Sequence, residues 1–166
     1  MKRGIQLSVM GLAVALIVGW ATPAWAPRCP SCSTRLTQRM IRLEGDWSFG
    51  NDLVTLQGQL HLVTQVIMSS ASTRVDVHAN LADVTGVGSP SGDMYLATGT
   101  DQMSVETSPG PVFSLSFHAR FAFRPAFHCD APNPCQSTGL PVRISLMFQE
   151  DGSLTTASAV VGGGTD

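Results

Sequence analysis

From Val54 the chain alternates between apolar and polar residues. Val54, Leu56, Gly58, Leu60, Leu62, Thr64, Val66 and Met68 share one parity, while Thr55, Gln57, Gln59, His61 and Gln65 fall on the other. A period of two sends successive side chains to opposite faces of a strand, so the stretch predicts one buried face and one wet face. After Ser69-Ser70-Ala71-Ser72 the alternation resumes, with Val75, Val77, Ala79 and Leu81 inward. A two- or four-residue turn there sets Val66 against Val75 and Leu60 against Leu81. A slip of one residue would oppose apolar to polar along the whole hairpin, which specifies the register.

The same pattern predicts the remaining strands. Phe113, Leu115, Phe117, Ala119, Phe121 and Phe123 alternate with Ser114, Ser116, His118, Arg120, Ala122 and Arg124, placing the aromatic part of the core on one strand. Val142, Ile144, Leu146 and Phe148 lead to Asp151-Gly152, a dipeptide that favours a type I′ turn and sets Leu146 against Ala157 and Ile144 against Ala159. Shorter strands are expected near Met94 to Thr98 and Gln102 to Glu106, with a first strand around Met40 to Phe49. Gly86 to Gly92 reads as a glycine-rich loop, and Ser108-Pro109-Gly110-Pro111 as a break. No stretch beyond Ala26 sustains a 3.6-residue period. The fold class expected is therefore all-β, an antiparallel sandwich or up-and-down barrel of about seven or eight strands, preceded by an N-terminal signal helix.

That helix is the reading of Met1 to Ala26. Lys2 and Arg3 supply a positive start, Leu7 to Ala21 an apolar run, and Ala24-Trp25-Ala26 a small-residue cleavage signal. Pro27 disfavours cleavage directly before it, which leaves Ala24 or Ala21 as alternative sites. An uncleaved segment is long enough to span a bilayer and would anchor the protein. The organisation expected is a signal peptide over 1–26, a cysteine-containing segment over 27–36, one all-β domain over 37–161 and a flexible tail over 162–166. The destination is secreted or periplasmic, with a membrane anchor as the alternative.

Export changes the reading of the cysteines. An even set, Cys29, Cys32, Cys129 and Cys135, in an oxidising compartment favours disulfides. The economical pairing closes Cys129 to Cys135 around Pro132 and Pro134, with Cys29 and Cys32 as the second pair. Redox catalysis by Cys29-Pro30-Ser31-Cys32 lacks the βαβ context it needs, and a zinc ribbon wants two equally close pairs.

The chain carries a net charge of −2, and because its only lysine and one of its arginines lie in the signal segment, eight arginines face twelve acids in the remainder. That balance excludes a nucleic-acid partner. The absence of lysine past Lys2 removes Schiff-base chemistry. Gly86-Val87-Gly88-Ser89-Pro90-Ser91-Gly92 fits neither a phosphate loop, for want of the Lys-Ser/Thr step and a following helix, nor a nucleophile elbow. No cofactor motif is present.

Two clusters remain. In the expected register His61 faces Asn80 and His78 faces Val63, so the two imidazoles lie diagonally on the wet face with Asp76 one step on. Two histidines and a carboxylate are the start of a divalent-metal site, whereas the plainer reading is a solvated polar face. His118, Arg120 and Arg124 share one strand face, either to meet an anion or to form a solvated or ion-paired edge. His128, beside Cys129, reads as a loop residue.

The segment Asn80-Leu81-Ala82-Asp83-Val84-Thr85-Gly86-Val87-Gly88, followed by Ser91-Gly92-Asp93-Met94-Tyr95, resembles one in small uncharacterised secreted bacterial all-β proteins, and the resemblance implies an exported β-domain without a known activity. Gly45-Asp46-Trp47 is similar to the Gly-x-Trp opening of lipocalins, barrels that hold apolar ligands, although lipocalins end in a helix and this chain ends in glycines. The function expected is an exported, non-enzymatic β-domain that binds a small apolar ligand or a cell-surface partner. The alternatives are a metal-dependent enzyme built on His61, His78 and Asp76, and a purely structural envelope module.

Overall fold

The computed structural model describes residues 31–110, 112–126 and 137–162. They form eight strands in one mixed sheet: β1 (Ser33–Phe49), β2 (Asp52–Met68), β3 (Thr73–Ser89), β4 (Met94–Thr98), β5 (Thr100–Thr107), β6 (Val112–Pro125), β7 (Thr138–Gln149) and β8 (Leu154–Val161). The stretch expected to be a signal segment, Cys29, His128, Cys129, Cys135 and the last four residues lie outside the described residues. β1 starts at Ser33, so four residues expected in the cysteine-containing segment belong to the domain.

Hydrogen bonding runs β2-β1-β8-β7-β6-β4-β3-β5, and a β2–β3 ladder closes the order into a ring. β4 and β5 both run antiparallel to β3, one along Val84–Val87 and the other along Thr73–Asn80, so they are two halves of one pass that breaks at Gly99. The ring thus has seven passes. Strands that alternate in direction round an odd ring must meet once in parallel, and they do so at β1–β8, where Leu43 pairs with Ala159 and Glu44 with Val160. The expectation of a wholly antiparallel sheet is corrected for that reason. A Cβ on Gly45 would lie 2.9 Å from the Val161 Cβ, so glycine admits the close approach at this junction.

The β2–β3 hairpin has the expected register, with Val66 opposite Val75, Leu60 opposite Leu81 and His61 opposite Asn80. Its turn is tied by Ser69, whose N–H donates to the Ser72 carbonyl at 2.9 Å and whose Oγ accepts from the Ser72 N–H at 3.0 Å. Beyond Gln59 the register steps by one residue. The extra residue is Asp83, held at φ 53° in the left-handed region, and it shifts the pairing of β3 with β4 relative to β5 as well. One bulge therefore reverses the inward parity of β3, from Val75, Val77, Ala79 and Leu81 to Val84, Gly86 and Gly88.

The strand glycines follow from this. Gly86 and Gly88 stand inside β3, not in a loop, because a Cβ at Gly86 would meet Val54 at 2.7 Å and the Thr55 carbonyl at 2.8 Å. The β7–β8 turn also differs from expectation. Gly152 is left-handed at φ 75° while Asp151 is not, and the Gly152 N–H donates to the Gln149 carbonyl at 2.9 Å, which describes a type I turn followed by a glycine in the left-handed region. Leu146 still faces Ala157, and Ile144 faces Ala159.

The core fills the ring with Leu43, Val54, Leu56, Leu60, Leu62, Val66, Val75, Val77, Phe123, Leu140, Ile144 and Phe148, all essentially inaccessible. At one end Tyr95 stacks on Phe123 with centroids 5.4 Å apart, and Phe49 meets both rings edge-on. Along β6 burial is graded: Phe121 and Phe123 are enclosed, whereas Phe113, Leu115 and Phe117 are half-buried, so the aromatic centre lies at one end of that strand.

Two outcomes follow. Phe123→Ala should cost about 3–5 kcal/mol in urea unfolding, whereas Phe117→Ala, already part-hydrated, should cost about 1–2 kcal/mol. At the bulge, Asp83→Val should lose about 1–2 kcal/mol because a β-branched residue is strained in the left-handed region, while Asp83→Gly should lose none.

Candidate functional site

The wet-face residues singled out from the sequence lie on adjacent strands but do not converge. His61 is opposite Asn80, His78 is opposite Val63 and Gln102, and Asp76 lies between Gln65 and Ser104. Arg74 Nε donates to Asp76 Oδ1 at 3.0 Å and takes the carboxylate the metal set would need. Among the described residues no group of three or more His, Cys, Asp or Glu comes together in a way that would hold a metal ion. What the face forms instead is an open concavity of about 440 Å³ that includes Gln65, Arg74, Asp76, His78 and Gln102. Cys32 is the described member of the cysteine set and is not a free thiol.

A different carboxylate is buried. Asp52 has the inward parity of Val54 and Leu56, and it opens β2 directly after a tight turn in which Gly50 has φ 60°. Its Oδ2 accepts from the Tyr95 hydroxyl at 2.7 Å and the Ser91 hydroxyl at 2.5 Å, and its Oδ1 accepts from the Ser91 N–H at 3.2 Å. Ser91 Oγ also accepts from the Asp93 N–H at 3.0 Å. Gly88 is required beside them, because any Cβ there would collide with Asp52 and the Tyr95 ring.

These donors hold the Asp52 carboxyl below its usual range, the Ser91 hydroxyl contributing most and Tyr95 next. Burial and the neighbouring carboxylate push the Tyr95 phenol up to about 12. Both oxygens of Asp52 are occupied, so the cluster ties the β3–β4 loop to the start of β2. A carboxylate of inward parity and the chain's single tyrosine were the signals that would have found it.

The opening in the ring lies at the other end. β6 pairs with β4 from Ala122 to Pro125, but no ladder joins the rest of β6 to β5. At the junction the Arg120 N–H donates to Asp101 Oδ2 at 2.9 Å, so a side-chain carboxylate stands where the next strand carbonyl would continue the ladder. It is the one hydrogen bond from β5 to β6 among the described residues. Below it the inward-facing Met103 and Val105 of β5, and Phe113, Leu115 and Phe117 of β6, are all half-buried. Their ladder partners Val75, Val77, Ile144, Leu146 and Phe148 are at most 2% exposed. The seam therefore shows solvent an apolar interior edged by two strand sides that have no ladder partner among the described residues.

The seam has a charged rim. His118 and Arg120 are exposed on the outer side of β6, and Arg143 lies opposite His118 on β7, with Arg124 further along. Elsewhere the described arginines are engaged: Arg35 by Asp151 at 2.7 Å, Arg39 by the Leu154 carbonyl at 2.6 Å, Arg42 by Glu44 and Arg74 by Asp76. Among the described residues the side chains of Arg120, Arg124 and Arg143 have no such partner, which leaves an anion-meeting face and a solvated edge as the readings of this face. No protein-family model matches the chain, and no curated protein or solved structure matches it significantly.

The tyrosine cluster yields a measurement with a single reporter. Ultraviolet titration of the phenol should give a midpoint near 12 in the folded protein, against its ordinary value of 10.0 when unfolded, and Asp52→Asn should move the folded midpoint down. Stability from Tyr95 is complete below the unfolded value and is lost as pH rises through the folded one. Stability from Asp52 is complete above its unfolded value of 3.8 and is lost as pH falls through its lower folded one.

Proposed function

We propose that the chain is an exported, non-enzymatic β-domain that binds a ligand or surface partner through the seam between β5 and β6. The observation that carries this reading is the half-buried interior row Met103, Val105, Phe113, Leu115 and Phe117, exposed along an interrupted ladder in an otherwise tightly filled ring. Contiguous apolar surface left open to water, rimmed by polar residues, is the ordinary mark of a binding site.

Export is the part of the proposal supported by the sequence, through Lys2, Arg3, the apolar run and the Ala-Trp-Ala signal. The four cysteines fit the same compartment as structural disulfides, Cys129 with Cys135 and Cys29 with Cys32. The non-enzymatic part is supported by the chemistry of the two polar clusters. Asp76 is paired with Arg74, and the hydroxyl of Ser91 is spent on Asp52.

An apolar fluorescent dye tests the seam directly. The folded protein should raise the dye's fluorescence, and Val105→Asp or Leu115→Asp should reduce that rise several-fold. Val87→Asp, at an exposed outward position near the opposite end, should leave it unchanged. Equal binding by all four proteins, or no binding by any, would remove the seam as the site.

A further inference from the structure

We infer that the occupant of the seam is an extended polypeptide strand that adds to the free edge of β6 and carries acidic side chains on its outward face. The inference rests on the seam-binding reading and narrows it to one chemistry. Three observations lead to it.

The first is the backbone. From Val112 to Ala119 the side of β6 turned away from β7 has no ladder partner among the described residues, and neither has the side of β5 turned away from β3. An alkyl ligand satisfies no amide groups, whereas an added strand satisfies a row of them. The second is the spacing of the interior side chains. Phe113, Leu115 and Phe117 recur at every second residue, as do Met103 and Val105 across the seam, which matches the inward side chains of a third strand laid between them.

The third is charge. The outward neighbours on β6 are Ser114, Ser116, His118 and Arg120, backed by Arg143 on β7, and among the described residues the two arginines lack carboxylate partners in a chain that is otherwise acidic. On β5 the outward residues are Thr100, Gln102, Ser104 and Glu106, so the acid lies at the end remote from Arg120. The complementary strand has carboxylates opposite His118 and Arg120 and none opposite Glu106. Cross-strand pairs of opposite charge are favourable, and like charges in the same positions select against other segments.

The test uses the full chain and a labelled peptide of eight residues, the length of β5. Valine occupies every second position, glutamate the outward positions of one half and threonine those of the other. Anisotropy should show binding that displaces the apolar dye. Replacing glutamate by lysine should weaken it about tenfold, as two exposed pairs turned repulsive would. The double substitution Arg120→Glu and Arg143→Glu should reverse the preference, and both sites are exposed, so thermal melts should match the parent. A central proline in the peptide, which removes a ladder donor, should weaken binding by a similar factor.

Glutamate and lysine peptides that bind alike, or a proline peptide that binds as well as the others, would overturn strand addition. If a long-chain alkyl carboxylate displaces the dye and no peptide does, the inference falls while the seam remains a binding site. If the dye itself ignores Val105→Asp, both readings fall together.

Discussion

At the level of Gly58 the second and third strands come so close that a Cβ on this residue would lie 2.6 Å from the Val84 Cα and 2.9 Å from the Asp83 carbonyl. The crowding marks the single bulge of β3, and the rest of the architecture is arranged about it. An extra residue in one strand bends that strand and sharpens its twist. The pass facing it breaks at the same level, where Gly99 has φ 121° and its carbonyl accepts from the Leu81 N–H at 3.1 Å. On one side of the break β4 continues round the ring to β6, and on the other β5 follows β3 away from it. Closure at one end and opening at the other are two results of one inserted residue.

The two ends are stabilised by different physics. Beyond the bulge the ring is zipped, and its interior holds Phe49, Tyr95 and Phe123 in mutual contact with the Asp52 cluster at their edge. A buried carboxylate is tolerable there because hydroxyl and amide donors replace the water it lost. Toward the seam the interior is mainly aliphatic and aromatic, with Phe113 stacked on Phe148 at 4.8 Å and the buried polar side chains reduced to Thr64 and Thr73 among the described residues. Asp101 marks the boundary. Its carboxylate takes the Arg120 amide and so terminates the β4–β6 ladder without leaving that donor unpaired.

Much of this was legible along the chain because a two-residue period carries its own evidence. The register of the β2–β3 hairpin and the inward row of β7 follow from which residues are apolar, since only one alignment buries them together. The candidate site was less legible. Nothing in Thr-Asp-Gln-Met-Ser-Val-Glu-Thr distinguishes a paired strand from one that has parted from its neighbour, and the histidines attracted notice by residue type alone. Asp52 and Asp101 were visible as acids of inward parity, but their roles depend on Tyr95 and Arg120, 43 and 19 residues away.

The sequence by itself determined the all-β class, the strand faces and two hairpin registers, because alternation and turn residues act over a few positions. Only the tertiary structure decided that the sheet closes into a ring with one parallel junction, that Asp83 is an extra residue, and that Arg120 and Arg143 stand without a carboxylate partner among the described residues beside an open seam. Those properties arise from how many passes fit round one core and which strand sides are left over. Such counting belongs to the whole ring, and no local stretch of residues records it.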